Sequence, residues 1–295
     1  LTGPTLTVVD TLATEPPDRR RNLYRSDLAD ISLKGRVTAD RFIEGTPAQI
    51  CLPVVPVRRE PDMAMARETE YLQGESVRVY DRANGWAWVQ SQRDLYTGYI
   101  DERALAQDQP LPTHRVSVRS SHLYPAPDVK RFATSALSFG SRVTVVDRQN
   151  RWSRIADGQW IYSEHLMPVG TYESDAVSVA QRFLEAPYLW GGRSNQGLDC
   201  SAMVQFALEA CGVPCPRDTD MQEREVGYPL SVSHADLQRG DLVFWPGHVG
   251  MMVNETHAIH ANATDMAVRI WPLDRMEDHI RRVENLEIRS IRRLR

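Results

Sequence analysis

Cys200 stands where a glycine-rich stretch, Tyr188-Leu-Trp-Gly-Gly-Arg-Ser-Asn-Gln-Gly-Leu-Asp-Cys-Ser201, gives way to an apolar segment with helical spacing. A thiol at a helix N-terminus meets first-turn N–H groups and the positive end of the helix dipole, both of which favour the thiolate that attacks carbonyls. His248 follows 48 residues later in Trp-Pro-Gly-His-Val-Gly, and His260 another 12 on in His-Ala-Ile-His-Ala, both in strand-like text. These are the parts of a Cys–His peptidase: a thiolate nucleophile, an imidazole that serves as base and then acid, and a second imidazole that fixes the tautomer of the first. The competing reading is a buried cysteine and two hydrogen-bonded histidines. Tyr188, twelve residues before the thiol, could support it or an oxyanion beside the Cys200 N–H, or simply fill a core.

Other chemistries are disfavoured. Gly-x-Ser-x-Gly and His-Glu-x-x-His are both absent, which argues against a serine hydrolase or a zinc peptidase. Cys211 and Cys215 have no further ligands close by, so together with Cys51 they read as small buried residues, and neither metal nor cofactor is expected. Gly191 and Gly192 permit close backbone approach, Trp190 reads as packing, and His257 alternates away from His260 and reads as exposed.

The elements that position these residues follow from periodicity. Asp175 to Glu185 carries a helical apolar stripe with Ser174 or Asp175 as N-cap, and residues 200–211 form a second helix stopped by Gly212 and Pro214. Asp241–Trp245, His248–Val253, Ala258–Ala261 and Ala267–Pro272 read as successive short strands, giving an α+β domain with helices first. The arginine-rich stretch from Arg281 to Arg295, interleaved with Glu, Leu and Ile, reads as a final strand with a solvated face.

Ahead of this domain lies an internal repeat. Gly74-Glu-Ser-Val-Arg-Val-Tyr-Asp81 and Gly85-Trp-Ala-Trp-Val89 recur as Gly140-Ser-Arg-Val-Thr-Val-Val-Asp147 and Arg151-Trp-Ser-Arg-Ile155, at a constant offset of 66 residues. Each copy closes on an aromatic-Ile pair, Tyr99-Ile100 and Trp160-Ile161. Short alternating strands broken by Gly, Asn and Asp describe two small tandem β-barrels, and the pattern resembles bacterial SH3 domains. Residues 1–48, rich in Asp, Arg and Pro, read as an extension that wraps the body, with a short helix near Thr38 to Phe42. The domains expected are 1–48, 49–110, 111–170 and 171–295.

Composition narrows the partners. With 295 residues, 42% hydrophobic content and net charge −4, the chain offers no general reason to bind nucleic acid or an anionic membrane. No apolar run reaches the roughly 20 residues of a spanning helix, and no signal-peptide core lies near the start. Oligomeric state is not legible.

The stretches 188–201, Pro216-Arg-Asp-Thr-Asp-Met-Gln222, Gly240-Asp-Leu-Val-Phe-Trp245, His248-Val-Gly250 and Ile259-His-Ala261 resemble the NlpC/P60 cell-wall peptidases. The resemblance implies a papain-like core with Cys200 as nucleophile, His248 as base and His260 as third polar residue, acting on peptidoglycan-derived peptides at the γ-D-glutamyl to diamino acid bond. In the subgroup with two SH3-like domains it further implies that Asp199, from the Asp199-Cys200-Ser201 pattern, and a tyrosine of the first SH3-like domain bind the free amine of an N-terminal L-Ala. Tyr96 matches best, with Glu68 or Glu70 assisting. Arg217, Asp218 and Thr219 would form the next substrate-side cluster, facing the D-Glu α-carboxylate, although Asp218 could instead make an Asx turn. The alternatives are an idle cell-wall binding protein, or thiol acyl transfer or amidase chemistry on another substrate. Free thiols and a small-fragment substrate point to the cytoplasm, with export and loss of a leader as the alternative.

Overall fold

A computed structural model describes residues 16–231 and 236–294. The residues expected at the N-terminus of the extension, 1–15, lie outside it.

The two halves of the repeat have one backbone plan. Thr46–Ile50, Val54–Arg58, Arg67–Leu72, Ser76–Ala83, Trp86–Ser91, Thr97–Asp101 and Leu105–Ala106 form one seven-stranded sheet that encloses Ile50, Val55, Val57, Tyr71, Val77, Val89 and Ile100. Its ladder slips by a residue between Val79 and Asp81, and the ladder of the second barrel slips at Val145/Asp147, 66 residues on. Asn84 and Asn150 both occupy the left-handed region with φ 52°, turning the matching hairpins. The second barrel is built of smaller sheets around Val116, Leu123, Leu137, Val143, Ile155 and Ile161. Gly74 shows how tightly the barrels meet: it has φ +81°, and a Cβ there would lie 2.1 Å from the carbonyl oxygen of Arg142.

The C-terminal domain is α+β. Its helices are α1 (Ala176–Gln181), α2 (Cys200–Ala210), α3 (Thr219–Glu225) and α4 (Leu273–Glu284). A six-stranded sheet places Leu242–Trp245, His248–Met252, His257–Asn262 and Ala267–Pro272 side by side, antiparallel. Strand alternation sorts its residues: Leu242, Phe244, Val249, Met251 and Ile259 face the core around α2, while Val243, Trp245, Met252 and Ala258 face α4. Every residue of α2 except Glu209 is buried. Its Phe206 ring packs against Phe139 of the second barrel at 5.4 Å and Phe183 at 5.5 Å.

Four expectations are corrected. Thr38 to Phe42 is not helical: so short a segment cannot nucleate a helix, and Arg41–Ile43 instead pairs in parallel with Leu28–Asp30. The tail from Arg281 is not all strand. Leu273, Met276 and Ile280 repeat at helical spacing and bury one face of α4, which continues to Glu284, and only Ser290–Arg293 forms the strand. The first helix stops at Gln181 rather than running to Glu185, and α3 had not been anticipated. Cys51 is exposed and Cys211 half-buried, leaving Cys215 as the buried one of the three.

A seam of buried charge joins the first barrel to the C-terminal domain. Arg93 reaches Glu209 at 2.7 Å and Asp94 at 2.7 Å, and Arg193 reaches Glu75 at 2.8 Å. Gln205 of α2 donates to Asp94 (3.0 Å) and accepts from Arg193 Nε (3.1 Å). Removing one member strands opposite charges away from water. Arg93→Met is expected to lower the unfolding free energy by about 3–5 kcal/mol, read as a reduced urea midpoint. An unchanged midpoint would show that the seam contributes nothing to docking.

Candidate active site

Asp199 builds the start of α2. Its Oδ1 accepts from the Ala202 N–H at 2.9 Å as an N-cap, and its Oδ2 accepts from the Gly191 N–H at 3.0 Å, tying the glycine-rich loop to the helix. Gly191 has φ +67°, and a Cβ on it would lie 2.5 Å from Arg67 Cγ, so the loop fits against the first barrel only without a side chain. Cys200 is thereby held at the first position of α2, 6% exposed, with Sγ 3.9 Å from Thr219 Oγ1 and within reach of the Val249 N–H.

The two histidines stand on neighbouring strands. The alternation that turns Val249, Met251 and Ile259 toward α2 turns His248 and His260 to the opposite face. There His248 Nε2 lies 3.0 Å from His260 Nδ1, and the His260 ring meets Trp271 edge-on at 5.3 Å. His260 Nε2 is 3.3 Å from Asn262 Nδ2, and Asn262 is held by the Asp265 loop. Asn262 and Trp271 were not singled out in the sequence; the i, i+2 spacing of Asn262 after His260 on a strand was the available signal. His257 turns to the other side of its strand, half-buried rather than exposed, and bonds Thr256.

Burial decides the resting protonation. The Cys200 thiol is pushed up to about 11, chiefly by loss of solvent and secondarily by Asp199, against the opposing Val249 N–H, Thr219 and Arg217. Burial moves His248 down to about 4 and holds His260 well below the usual imidazole range. Desolvation thus works against the thiolate that the start of α2 favours. No hydrogen bond joins Cys200 to His248 among the described residues, which is the looseness an unliganded site shows before substrate tightens it.

The residues flanking the thiol divide into committed and open. Arg217, 1% exposed, spends its guanidinium on both Asp199 oxygens (2.9 and 2.7 Å), on Ser201 Oγ (2.7 Å), and on Thr69 of the first barrel (2.8 Å). It is not available to a substrate carboxylate. Ser201 is committed likewise, donating to Asp199 at 3.1 Å. Glu70 is fully buried, paired with Arg67 and accepting from the Arg193 N–H at 2.8 Å.

Tyr96 is 2% exposed, and its hydroxyl donates to Asp218 Oδ2 at 3.2 Å. Glu68 lines, with Tyr96, a cavity of about 720 Å³ on the first barrel. Burial raises the Asp218 carboxyl, opposed by Arg217 and Arg20. Thr219 lies between this cluster and the thiol. Tyr188 is half-buried, and desolvation and then Cys200 raise its phenol. Trp190 is 69% exposed rather than packed, because Gly191 turns the loop against Arg67. Among the described residues no group of three or more His, Cys, Asp or Glu is placed to hold a metal ion.

Residues 185–284 match the NlpC/P60 family, and residues 57–105 match the bacterial dipeptidyl-peptidase SH3 domain. The C-terminal domain belongs to the NlpC/P60 family. This NlpC/P60 chain is 27% identical over 240 residues to dipeptidyl-peptidase 6 of Lysinibacillus sphaericus, covering 73% of this chain and 87% of that one. It is also 27% identical over 239 residues to a γ-D-glutamyl-L-lysine dipeptidyl-peptidase of Bacillus cereus, covering 70% and 71%. Its fold superimposes on the crystal structure of an NlpC/P60 family protein from Bacillus cereus with TM-score 0.72 and 22% identity, covering 84% of this chain and 99% of that one. The chain is thus an NlpC/P60 peptidase with an N-terminal SH3-like region, related to dipeptidyl-peptidase VI.

A neutral resting thiol has a direct consequence. Alkylation of Cys200 by iodoacetamide, followed residue by residue by mass spectrometry, is expected to be slow at pH 6 and to rise continuously beyond pH 9, because the raised pKa leaves little thiolate near neutrality. A rapid rate, flat from pH 5 upward, would show a preformed thiolate–imidazolium pair.

Proposed function

We propose that this protein is a cysteine peptidase that hydrolyses the γ-D-glutamyl to diamino acid bond of murein stem peptides bearing a free N-terminal L-Ala, in cell-wall recycling or turnover. The cytoplasm suits so small a substrate and four free cysteines. The observation that carries the reading is the reach of Tyr96 from the first barrel to Asp218, at the start of the helix whose Thr219 stands beside the thiol. The activities named for the two bacillar relatives point the same way.

In this reading the ammonium of L-Ala enters between Tyr96, Asp218 and Glu68. Asp199 contributes by holding Arg217 and capping α2, since its own oxygens are taken. A blocked amine would leave these partly buried carboxylates without their counter-charge, and a longer chain would meet Tyr96. The Thr219 hydroxyl donates to the D-Glu α-carboxylate, which places the γ-carbonyl over Cys200.

The sulfur then attacks as its proton passes to His248 Nδ1. This requires His248 Nε2–H to donate to His260 Nδ1, and the hydrogen then carried on His260 Nε2 is met only when Asn262 turns its amide oxygen, rather than Nδ2, toward that ring. The oxyanion is met by the Cys200 N–H and the Tyr188 hydroxyl. Collapse breaks the C–N bond, His248 gives its proton to the departing amine, and a thioester remains. Water, losing a proton to the same imidazole, releases L-Ala-γ-D-Glu and restores the thiol.

Cys200→Ala is expected to lower hydrolysis of L-Ala-γ-D-Glu-diaminopimelate by at least about 1,000-fold. Acetylating the L-Ala amine should lower kcat/KM of the native enzyme by at least about 100-fold, because the carboxylates lose their partner. Equal cleavage of free and acetylated peptides, followed by product chromatography, would contradict the proposed specificity while leaving the thiol chemistry intact.

A further inference from the structure

The segment before the first barrel reaches across to the start of α3. Residues 18–25 lie along the barrel: the Thr97 N–H donates to the Arg20 carbonyl (2.8 Å), the Thr97 hydroxyl to the Arg19 carbonyl (2.6 Å), and Gln90 Nε2 to the Arg21 carbonyl (2.8 Å). From this fixed backbone the Arg20 guanidinium crosses to the C-terminal domain. Nη1 bonds Asp218 Oδ2 at 2.9 Å, and Nη1 and Nη2 each bond one Asp220 oxygen at 2.8 Å. Asp18 braces the other side of the fork at 2.7 Å.

Asp218 behaves unusually for its position. It is the N-cap residue of α3, where an aspartate ordinarily accepts from its own helix, yet it makes no side-chain cap bond. The carboxylate faces Arg20 and Tyr96 instead, and both bonds land on Oδ2, leaving Oδ1 without a partner among the described residues. Resting on the function proposed above, we infer that Arg20 is a positioning residue for the substrate's ammonium: it draws the Asp218 carboxylate away from α3 and holds it beside Tyr96, with Oδ1 free to accept from the amine. Arg20 lies nearly 200 positions from α3 in the chain, so the residue that shapes the amine end comes from outside both the barrel and the catalytic domain.

The groups facing Asp218 are Arg20 on the strap, Arg217 before α3 and Tyr96 on the barrel. Burial already raises its carboxyl, and both arginines oppose that rise. Loss of Arg20 therefore raises it further, and the ammonium site fades as pH falls. The effect should be on KM rather than kcat, because Arg20 touches neither the thiol nor the histidines.

The test compares native protein, Arg20→Gln, Arg20→Lys and Arg21→Gln on L-Ala-γ-D-Glu-L-Lys and its N-acetyl form, between pH 5.5 and 7.5. Arg21 pairs with Glu225 from the same strap and makes no bond to Asp218, so it controls for docking of the segment. Arg20→Gln is expected to raise KM for the free-amine peptide by at least about tenfold with kcat within about twofold, and the increase should steepen toward pH 5.5. Arg20→Lys should recover part of the loss, and Arg21→Gln should match the native enzyme. A KM for Arg20→Gln within twofold of native, or an equal rise in Arg21→Gln, would overturn the inference while native selectivity for the free amine stands. Native enzyme that cleaves both peptides alike would instead overturn the functional reading beneath it.

Discussion

The buried charge seam between the first barrel and α2 is the constraint on which the site depends. Asp94 sits in that seam between Arg93 and Gln205, and its Oδ1 also accepts from the Tyr96 N–H at 3.2 Å. Tyr71, from the barrel core, donates to the Tyr96 carbonyl at 2.7 Å. Gln205 lies on the helix that begins at Cys200. Nucleophile and tyrosine therefore belong to one hydrogen-bonded frame, although they come from different domains. Such an arrangement gives little net stability compared with an apolar interface, and its value lies in specifying one docking geometry.

The same close docking explains why the thiol is dry. Arg217, Asp199 and Ser201 form a closed group behind Cys200, and the Thr69 hydroxyl of the barrel completes it. Water that could stabilise a free thiolate is excluded on this side, which raises the thiol.

Sequence patterns made some of this legible and left some hidden for physical reasons. The 66-residue repeat was readable because the Val-x-Val alternation and the Asn turns are local, whereas the matching bulges at Val79/Asp81 and Val145/Asp147 emerged only from the strand pairing. The Cys200 helix start and the two histidine strands were readable for the same reason. Arg217 looked like a substrate ligand because its saturation depends on Thr69 and Asp199, which folding alone brings together. Likewise Glu68 and Glu70, two apart on one strand and so on one face, could not be told apart until docking of the Arg193 loop covered Glu70 and left Glu68 at a cavity. The α4 helix was misread because its charged face dominates the text, while Leu273, Met276 and Ile280 carry the apolar stripe. Arg20 gave no local signal, since its partners lie in a helix at the far end of the chain.

The central claim is that the first barrel makes the cleft measure from a free amine to the scissile carbonyl. A crystal structure of the Cys200→Ala protein with L-Ala-γ-D-Glu-L-Lys bound tests it most directly. The account predicts the L-Ala ammonium within hydrogen-bond distance of the Tyr96 hydroxyl and Asp218 or Glu68, and the D-Glu γ-carbonyl carbon over residue 200. A peptide bound in the reverse direction, or with its amine in solvent away from the first barrel, would contradict it.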